Sequence, residues 1–209
     1  MPTRTAHAAG TTRVGIYLFD EVEVLDFAGP FEVFSTATRV AFRRDSQAPA
    51  PFAVTLIADE ARTVRARAGL PVVARASFAE HPKLDLLLVP GGDVSAELER
   101  PAVIEWLART ARVTPLVASV CTGAFLLAKA GLLDGRRATT HWEDLEELRR
   151  LFPAVRVEAG ASWVDQGDRV TSAGISAGLD MSLHLVSRLG GQELAERTAR
   201  QMDYVWRRT

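Results

Sequence analysis

Hydrophobic runs alternate along the chain with segments whose apolar residues recur at helical spacing. Residues 84–89 are almost continuously apolar, as expected of a strand that is buried on both faces of a parallel sheet. Strands that alternate with helices favour βαβ units. The pattern therefore predicts an α/β fold with a mostly parallel central sheet. The predicted strands are residues 14–19, 52–58, 63–66, 72–74, 84–89, 116–120, 162–165 and 169–172, and the predicted helices are 27–44, 102–112, 122–133, 143–152, 175–189 and 192–207.

The chain has 209 residues, a length that suits one α/β domain. The loop at residues 45–51 is its Pro/Ala-rich break, and this loop is too short to separate two domains. We expect residues 1–12 to form a disordered N-terminal arm and residues 13–209 to form a single domain.

Charge and hydropathy exclude several classes of protein. The 25 basic and 26 acidic residues give a net charge of -1, so we expect no nucleic-acid partner. The longest apolar stretch, residues 124–133, contains Lys129 and falls short of the ~20 residues of a membrane span. The N-terminus lacks the apolar core of a secretory signal. With Cys121 as the single cysteine, we expect a cytoplasmic protein that needs no metal or organic cofactor.

The most specific motif surrounds this cysteine. In Ser119-Val120-Cys121-Thr122-Gly123 a predicted buried strand turns directly into a helix, as in a nucleophile elbow. Amide N–H groups and the positive dipole end of a helix lower the pKa of a thiol at that place. We therefore expect Cys121 to be an acidic, accessible nucleophile. The alternative is a buried cysteine that fills space under the helix.

Two further side chains fall near the same end of the predicted sheet. Asp26 lies between the first strand and its helix, where it is either the helix N-cap or a carboxyl group that moves protons beside the thiol. His141 is preceded by Thr140 and followed by Trp142 and Glu143. The T-x-x-E spacing predicts a capping box, and the other interpretation makes His141 an orienting group near the cysteine.

Backbone amides supply the remaining candidates. Gly92 follows the apolar strand 84–89, and Ile175 opens a late helix; both positions can present N–H groups to a developing negative charge. His184 lies within a predicted helix between Leu183 and Leu185, so we expect it to be a packing residue.

Five motifs occur in order along the chain: residues 25–30 (LDFAGP), 89–92 (VPGG), 119–123 (SVCTG), 138–142 (ATTHW) and 173–178 (AGISAG). Together they resemble the ThiJ/PfpI superfamily of class I glutamine-amidotransferase-like proteins. Within the superfamily the chain is most similar to the isocyanide (isonitrile) hydratases, and the resemblance runs from about residue 14 to residue 202. Related motifs occur in the amino-terminal domains of certain AraC-type regulators.

The resemblance implies a flavodoxin-like three-layer sandwich, a homodimer and a small-molecule substrate. Cys121 matches the nucleophile, and Asp26 matches the acidic residue near it. Thr122 stands where protease-like members have a histidine, which argues against peptidase activity. His141 and Trp142 match residues close to the cysteine. The expected activity is that of a lyase, hydration of an isonitrile to an N-substituted formamide through a covalent thioimidate on Cys121.

Two other functions use the same residues. One is a stress protein whose cysteine is oxidised or acts on reactive carbonyls. The other is a ligand-sensing domain related to the AraC-type regulators. Because the chain ends at Thr209 without a recognisable DNA-binding domain, we expect the hydratase rather than the sensor.

Overall fold

The computed structural model describes residues 10–208. Most of the predicted N-terminal arm, residues 1–9, lies outside them, and the first strand already begins at Thr12. The strands are β1 Thr12–Tyr17, β2 Phe52–Ala58, β3 Thr63–Arg65, β4 Pro71–Val73, β5 Ala76–Ser77, β6 Leu86–Val89, β7 Leu116–Val120, β8 Arg137–Ala138, β9 Arg156–Val157, β10 Trp163–Asp165 and β11 Arg169–Ser172. The helices are α1 Val24–Arg44, α2 Ser95–Leu98, α3 Pro101–Val113, α4 Gly123–Lys129, α5 Leu145–Leu151, α6 Ala177–Gly190 and α7 Gln192–Gln201.

The central sheet has the strand order β10-β11-β7-β6-β1-β2-β5. All neighbouring strands in it are parallel except the edge pair β10 and β11. Helices α1, α6 and α7 pack on one another, and α2, α3 and α4 form a second group. The predicted fold class, a flavodoxin-like three-layer sandwich with a mostly parallel sheet, is confirmed.

The core follows the hydrophobic pattern. Every residue of β6 and β7 is buried, as the continuous apolar runs predict. On α3, the buried positions Val103, Trp106, Leu107 and Thr110 recur at helical spacing and form one face of the helix. The two central strands are therefore covered on both faces, and their carboxyl ends are held rigidly at one edge of the sheet.

Several helix ends differ from the prediction. Helix α1 begins at Val24, not at residue 27, because the chain turns where the Glu23 amide donates to the Gly91 carbonyl (2.9 Å). Helix α7 ends at Gln201, not at residue 207, because Asp203 adopts a left-handed conformation (φ 50°) that ends a helix. The following segment returns to α6, where the Arg207 amide donates to the Asp180 carboxyl group (2.8 Å).

The predicted hairpins β3–β4 and β10–β11 are both antiparallel pairs and are confirmed. The prediction missed short elements: β5, β8, β9 and α2. The ring of His184 stacks on Trp163, with centroids 5.5 Å apart, as expected of a packing residue, but it also contacts a carboxylate that the sequence did not predict. Its Nε2 atom lies 2.6 Å from Asp165 Oδ2, and the side chain is partly exposed, because the edge strand β10 presents a carboxylate to the polar side of α6.

Candidate functional site

Cys121 lies where β7 passes into α4, at the carboxyl edge of the sheet. Its backbone is left-handed, with φ 55°, a conformation that is uncommon for a residue other than glycine. Its amide donates to the Ser172 carbonyl at the end of β11 (3.1 Å). The side chain is 7% exposed, so the thiol lies at the base of a depression and not on the open surface.

Two glycines make room for this turn. A Cβ atom on Gly123 would lie 2.1 Å from the Val89 carbonyl oxygen, so α4 can begin this close to β6 only with glycine there. A Cβ atom on Gly174 would lie 2.6 Å from Cys121 Sγ and 2.8 Å from the His141 ring. The backbone at Gly174 therefore lies directly against the thiol.

Asp26 is fully buried in the first turn of α1. It is not the N-cap, since Glu23 occupies that position. Its Oδ2 atom accepts a hydrogen bond from the Gly91 amide (3.1 Å), whereas Oδ1 has no partner among the described residues. Burial raises the pKa of Asp26 to about 7, and the Glu23 carboxylate acts in the same direction. The hydrogen bond from Gly91 and the nearby Cys121 thiol oppose this shift in pKa.

The expectation that Cys121 is acidic was wrong. Burial and, to a smaller extent, the charge of Asp26 raise the pKa of its thiol to about 12. The Thr122 amide hydrogen bond lowers the thiol pKa but does not offset the loss of solvent. The Cys121 thiol thus keeps its proton at neutral pH. Asp26 is the group placed to remove this proton.

Thr122 and Gly92 hold the two loops of the site together. Thr122 Oγ1 accepts from the Gly92 amide (2.9 Å) and donates to the Gly92 carbonyl oxygen (2.9 Å). The Gly92 N–H group is therefore already engaged and is not the free donor that the sequence suggested. Ile175, the other expected donor, lies on the wall of the cleft and is partly exposed.

The capping box predicted at Thr140 and Glu143 is absent from this part of the structure. Thr140 Oγ1 donates to the Cys121 carbonyl oxygen instead (2.9 Å), and the 3-10 turn Trp142–Asp144 has no side-chain cap. His141 faces the acidic residues after it, with Nδ1 3.5 Å from Asp144 Oδ2. Trp142 is 71% exposed at the rim of the cleft.

The cleft above Cys121 has a volume of about 510 Å³. Thr122, His141, Trp142 and Ile175 line it, as does Gly92; Asp26 lies beneath it.

Sequence reasoning missed four other residues of the lining: Glu23, Arg67, Glu143 and Asp144. Glu143 and Asp144 could have been found from their position beside His141. Arg67 gives no such signal, because it lies between β3 and β4, far in sequence from the other residues of the cleft. Its amide donates to the Val22 carbonyl (3.0 Å), and this bond holds the β3–β4 hairpin beside the cleft.

The fold and this site define a class of proteins, and sequence comparison identifies it. The model of the DJ-1/PfpI family matches residues 12–188, and the chain belongs to this family. An isonitrile hydratase from Pseudomonas putida is 32% identical over 92% of this chain and 78% of its own length. A ThiJ/PfpI family protein from Pseudomonas syringae has a solved structure with a TM-score of 0.82, 28% identity, and coverage of 98% of this chain and 81% of that one.

Transcriptional regulators are also similar to this chain. The HTH-type transcriptional regulator GbdR from Pseudomonas aeruginosa is 30% identical over 91% of this chain, which spans 50% of the length of the regulator. The proteins similar to this chain thus include both an enzyme and transcriptional regulators. Across residues 10–208, the helices are too short or too polar to cross a membrane.

Proposed function

We propose that this chain is a cysteine-dependent lyase that hydrates isonitriles to N-substituted formamides. One observation carries the proposal: the buried carboxyl group of Asp26, whose Oδ1 atom has no hydrogen-bond partner among the described residues, lies close enough to the Cys121 thiol at the base of the cleft for each to shift the pKa of the other. A nucleophile and a group that exchanges protons near neutral pH are what addition to an isonitrile carbon requires. The similarity to an isonitrile hydratase supports the same reaction.

The reaction begins as Asp26 takes the proton of the Cys121 thiol while Sγ attacks the terminal carbon of R–N≡C. Asp26 then returns this proton to the carbon, which gives the thioimidate R–N=CH–S–Cys121. Water adds to the same carbon, and Asp26 passes a proton from water to the nitrogen. The C–S bond breaks, the thiol regains its proton, and R–NH–CHO leaves. The net change is the addition of one water molecule, with no oxidation or reduction.

The other residues of the site hold the substrate and the nucleophile. The Thr122 amide, which lies close enough to hydrogen-bond to Sγ, stabilises negative charge there, and Ile175 contributes its backbone on the opposite wall. His141 and Trp142 form a wall beside the thiol and orient the substrate. We assign Gly92 to shaping the loop, because its amide is engaged by Thr122.

A second copy of the chain is part of this proposal, in a cytoplasmic homodimer. Leu25 and Phe31 on α1 and Ile175 beside the cleft are large apolar side chains that remain partly exposed, and a partner subunit would cover them. Light scattering on the purified protein tests the dimer, which a monomer at micromolar concentration would contradict.

The experiment that tests the activity is turnover of phenyl isocyanide, with N-phenylformamide quantified by chromatography and mass spectrometry. Cys121→Ala is the control, since it retains the cleft but cannot form the thioimidate. Formamide production that requires Cys121 supports the hydratase, and its absence from active-site-titrated protein rejects it.

The similarity to transcriptional regulators favours a second candidate, a ligand-sensing domain. A sensor binds a small molecule in the cleft without turnover. Parallel assays with glyoxal test the third possibility, a stress protein that acts on reactive carbonyls.

A further inference from the structure

A second chamber adjoins the cleft on the side of Thr122. It has a volume of about 240 Å³, and the two spaces share Arg67, Gly92, Thr122 and Asp144 in their walls. Its apolar wall comes from three separate elements and contains Val94, Leu98, Phe125 and Leu151. Phe125 and Val94 are almost fully buried, so the core fixes this part of the wall, whereas Leu98 is half-buried and Leu151 is exposed.

We propose that this chamber receives the substituent on the substrate nitrogen and favours apolar rings without negative charge. The inference rests on the proposed function, since it places the isonitrile carbon at Cys121 Sγ. Thr122 follows Cys121 directly and borders both spaces. A linear R–N≡C molecule whose carbon lies at the thiol would extend its R group past Thr122 into the chamber.

The volume of the chamber is sufficient for a ring. A dry cavity of about 150 Å³ lined by Leu, Ile and Phe binds benzene. A chamber of about 240 Å³ therefore has room for an aromatic or cyclohexyl ring. Burial of such a ring against Phe125 and Leu98 provides the favourable free energy of binding, in proportion to the apolar area that is removed from water.

Charge on the walls determines which substituents enter. The carboxylates that line the two spaces among the described residues are Glu23, Asp93, Glu143, Asp144 and Glu147. Arg67 is the guanidinium that faces them, and its Nε atom lies 3.9 Å from Glu23 Oε2. A carboxylate on the substrate would thus meet several like charges and one cation that already has a partner, whereas neutral and cationic groups meet no such repulsion.

Trp142 is the competing place for a substituent, because a ring could stack on its exposed face. Its 71% exposure means that a ring there would stay largely in water, and stacking on one side chain would remove less apolar area from water than contact with the four apolar side chains of the chamber does. The two locations predict different effects of mutation, so one set of variants separates them.

Alkylation of Cys121 tests the chamber without any assumption about hydratase activity. The probes are iodoacetamide, iodoacetate and N-phenyl iodoacetamide, whose labelling rates are followed by intact-protein mass spectrometry. We expect N-phenyl iodoacetamide to label faster than iodoacetamide by about tenfold, as the burial of one ring implies. Relative to the ratio for a free thiol peptide, we expect iodoacetate to label more slowly than iodoacetamide by about tenfold.

Leu151→Trp fills the chamber from an exposed position at the end of α5 and should abolish the phenyl preference while iodoacetamide labelling remains. Val113→Trp, at an exposed position at the end of α3 that lines neither the cleft nor the chamber, is the matched control and should keep the preference. Glu147→Lys should raise the ratio of iodoacetate to iodoacetamide labelling by about threefold, and about 1 M salt should remove this change. Glu193→Gln on α7 is the charge control.

Loss of the phenyl preference in Trp142→Ala but not in Leu151→Trp would overturn the proposal, as would equal labelling by all three probes. The hydratase is judged separately by formamide production. If no isonitrile is turned over but the labelling pattern holds, the proposed function fails and the chamber remains a binding site. Phenyl isocyanide should have a higher kcat/KM than methyl isocyanide. If Leu151→Trp keeps this advantage, the chamber does not receive the substituent, and the proposed function stands.

Discussion

The hydroxyl group of Thr140 donates a hydrogen bond to the carbonyl oxygen of Cys121 (2.9 Å). Both groups are buried, and Cys121 adopts a left-handed backbone conformation that needs support from its surroundings. The bond ties the loop after β8 to the turn that carries the thiol. Thr140 is thus a positioning residue: it contacts the backbone of Cys121 and not the cleft.

Replacement of Thr140 by valine should test this role, because valine keeps the shape but cannot donate. We expect Thr140→Val to lower the free energy of unfolding by about 1–3 kcal/mol, the cost of an unpaired buried carbonyl group, and to lower kcat more than it raises KM. The matched control is Thr38→Val, which removes a bond from Thr38 Oγ1 to the Phe52 carbonyl (3.0 Å) far from the thiol. Equal effects of the two variants on kcat would show that Thr140 has no special link to Cys121.

Gly174 should tolerate no side chain. Because a Cβ atom there would lie 2.6 Å from Cys121 Sγ, Gly174→Ala must displace the thiol or the backbone of the loop. A displacement of about 1 Å can reduce turnover by about 10²-fold, and we expect a loss of this size in formamide production.

Gly190→Ala serves as the control for this glycine. A Cβ atom at Gly190 would lie 2.8 Å from a terminal methyl group of Leu194, which can rotate away. Wild-type turnover in Gly174→Ala would show that Sγ is not held by that contact.

The pH dependence of alkylation should reflect the raised pKa of Cys121. Since burial and the Asp26 carboxylate raise it to about 12, the rate of labelling by iodoacetamide should continue to increase above about pH 9, past the ~8.5 of a free thiol. Asp26→Asn removes the nearby charge and should shift the profile to lower pH. A plateau below about pH 8 in the wild-type protein would mean that the helix dipole and amide bonds outweigh burial.

The sequence was sufficient to place Cys121 and Asp26 at one edge of the sheet, because parallel strands bring their carboxyl ends together. It was not sufficient to give the pKa of Cys121, since the extent of burial depends on the packing of loops from several elements. Local patterns also misled where a distant partner was available. Thr140 fits a capping box, but its hydroxyl group donates to the carbonyl of Cys121, 19 residues away in sequence.

Arg67 and Gly92 show the same limit in other ways. No periodicity or motif connects Arg67 with the cleft, because the backbone bond from its amide to Val22 joins two loops that are distant in sequence. A free amide at Gly92 was a reasonable expectation from the glycine pair, but the hydroxyl group of Thr122 satisfies it. Contacts between loops set both outcomes, and hydrophobic patterning carries little information about them.

Asp26 provides the final prediction, which concerns stability and pH. Its pKa is about 7 in the folded protein and about 3.9 in an unfolded chain. A carboxyl group with a raised pKa contributes fully to stability below about pH 4, and this contribution is lost as the pH rises through about 7. Asparagine does not titrate. Relative to wild type, Asp26→Asn should therefore gain about 1–4 kcal/mol of unfolding free energy between about pH 4 and pH 8.

Denaturant unfolding at several pH values measures this gain, and Asp165→Asn is the control of opposite sign. Hydrogen bonding to His184 and Arg188 lowers the pKa of Asp165 despite its partial burial. Its contribution to stability is present above the unfolded pKa and is lost as the pH falls, so Asp165→Asn should be destabilised at neutral pH. Turnover should separate the variants too, with a loss of about 10²–10⁴-fold for Asp26→Asn and little change for Asp165→Asn. If Asp26→Asn follows the wild-type stability curve at every pH and retains turnover, Asp26 neither ionises near pH 7 nor transfers the proton.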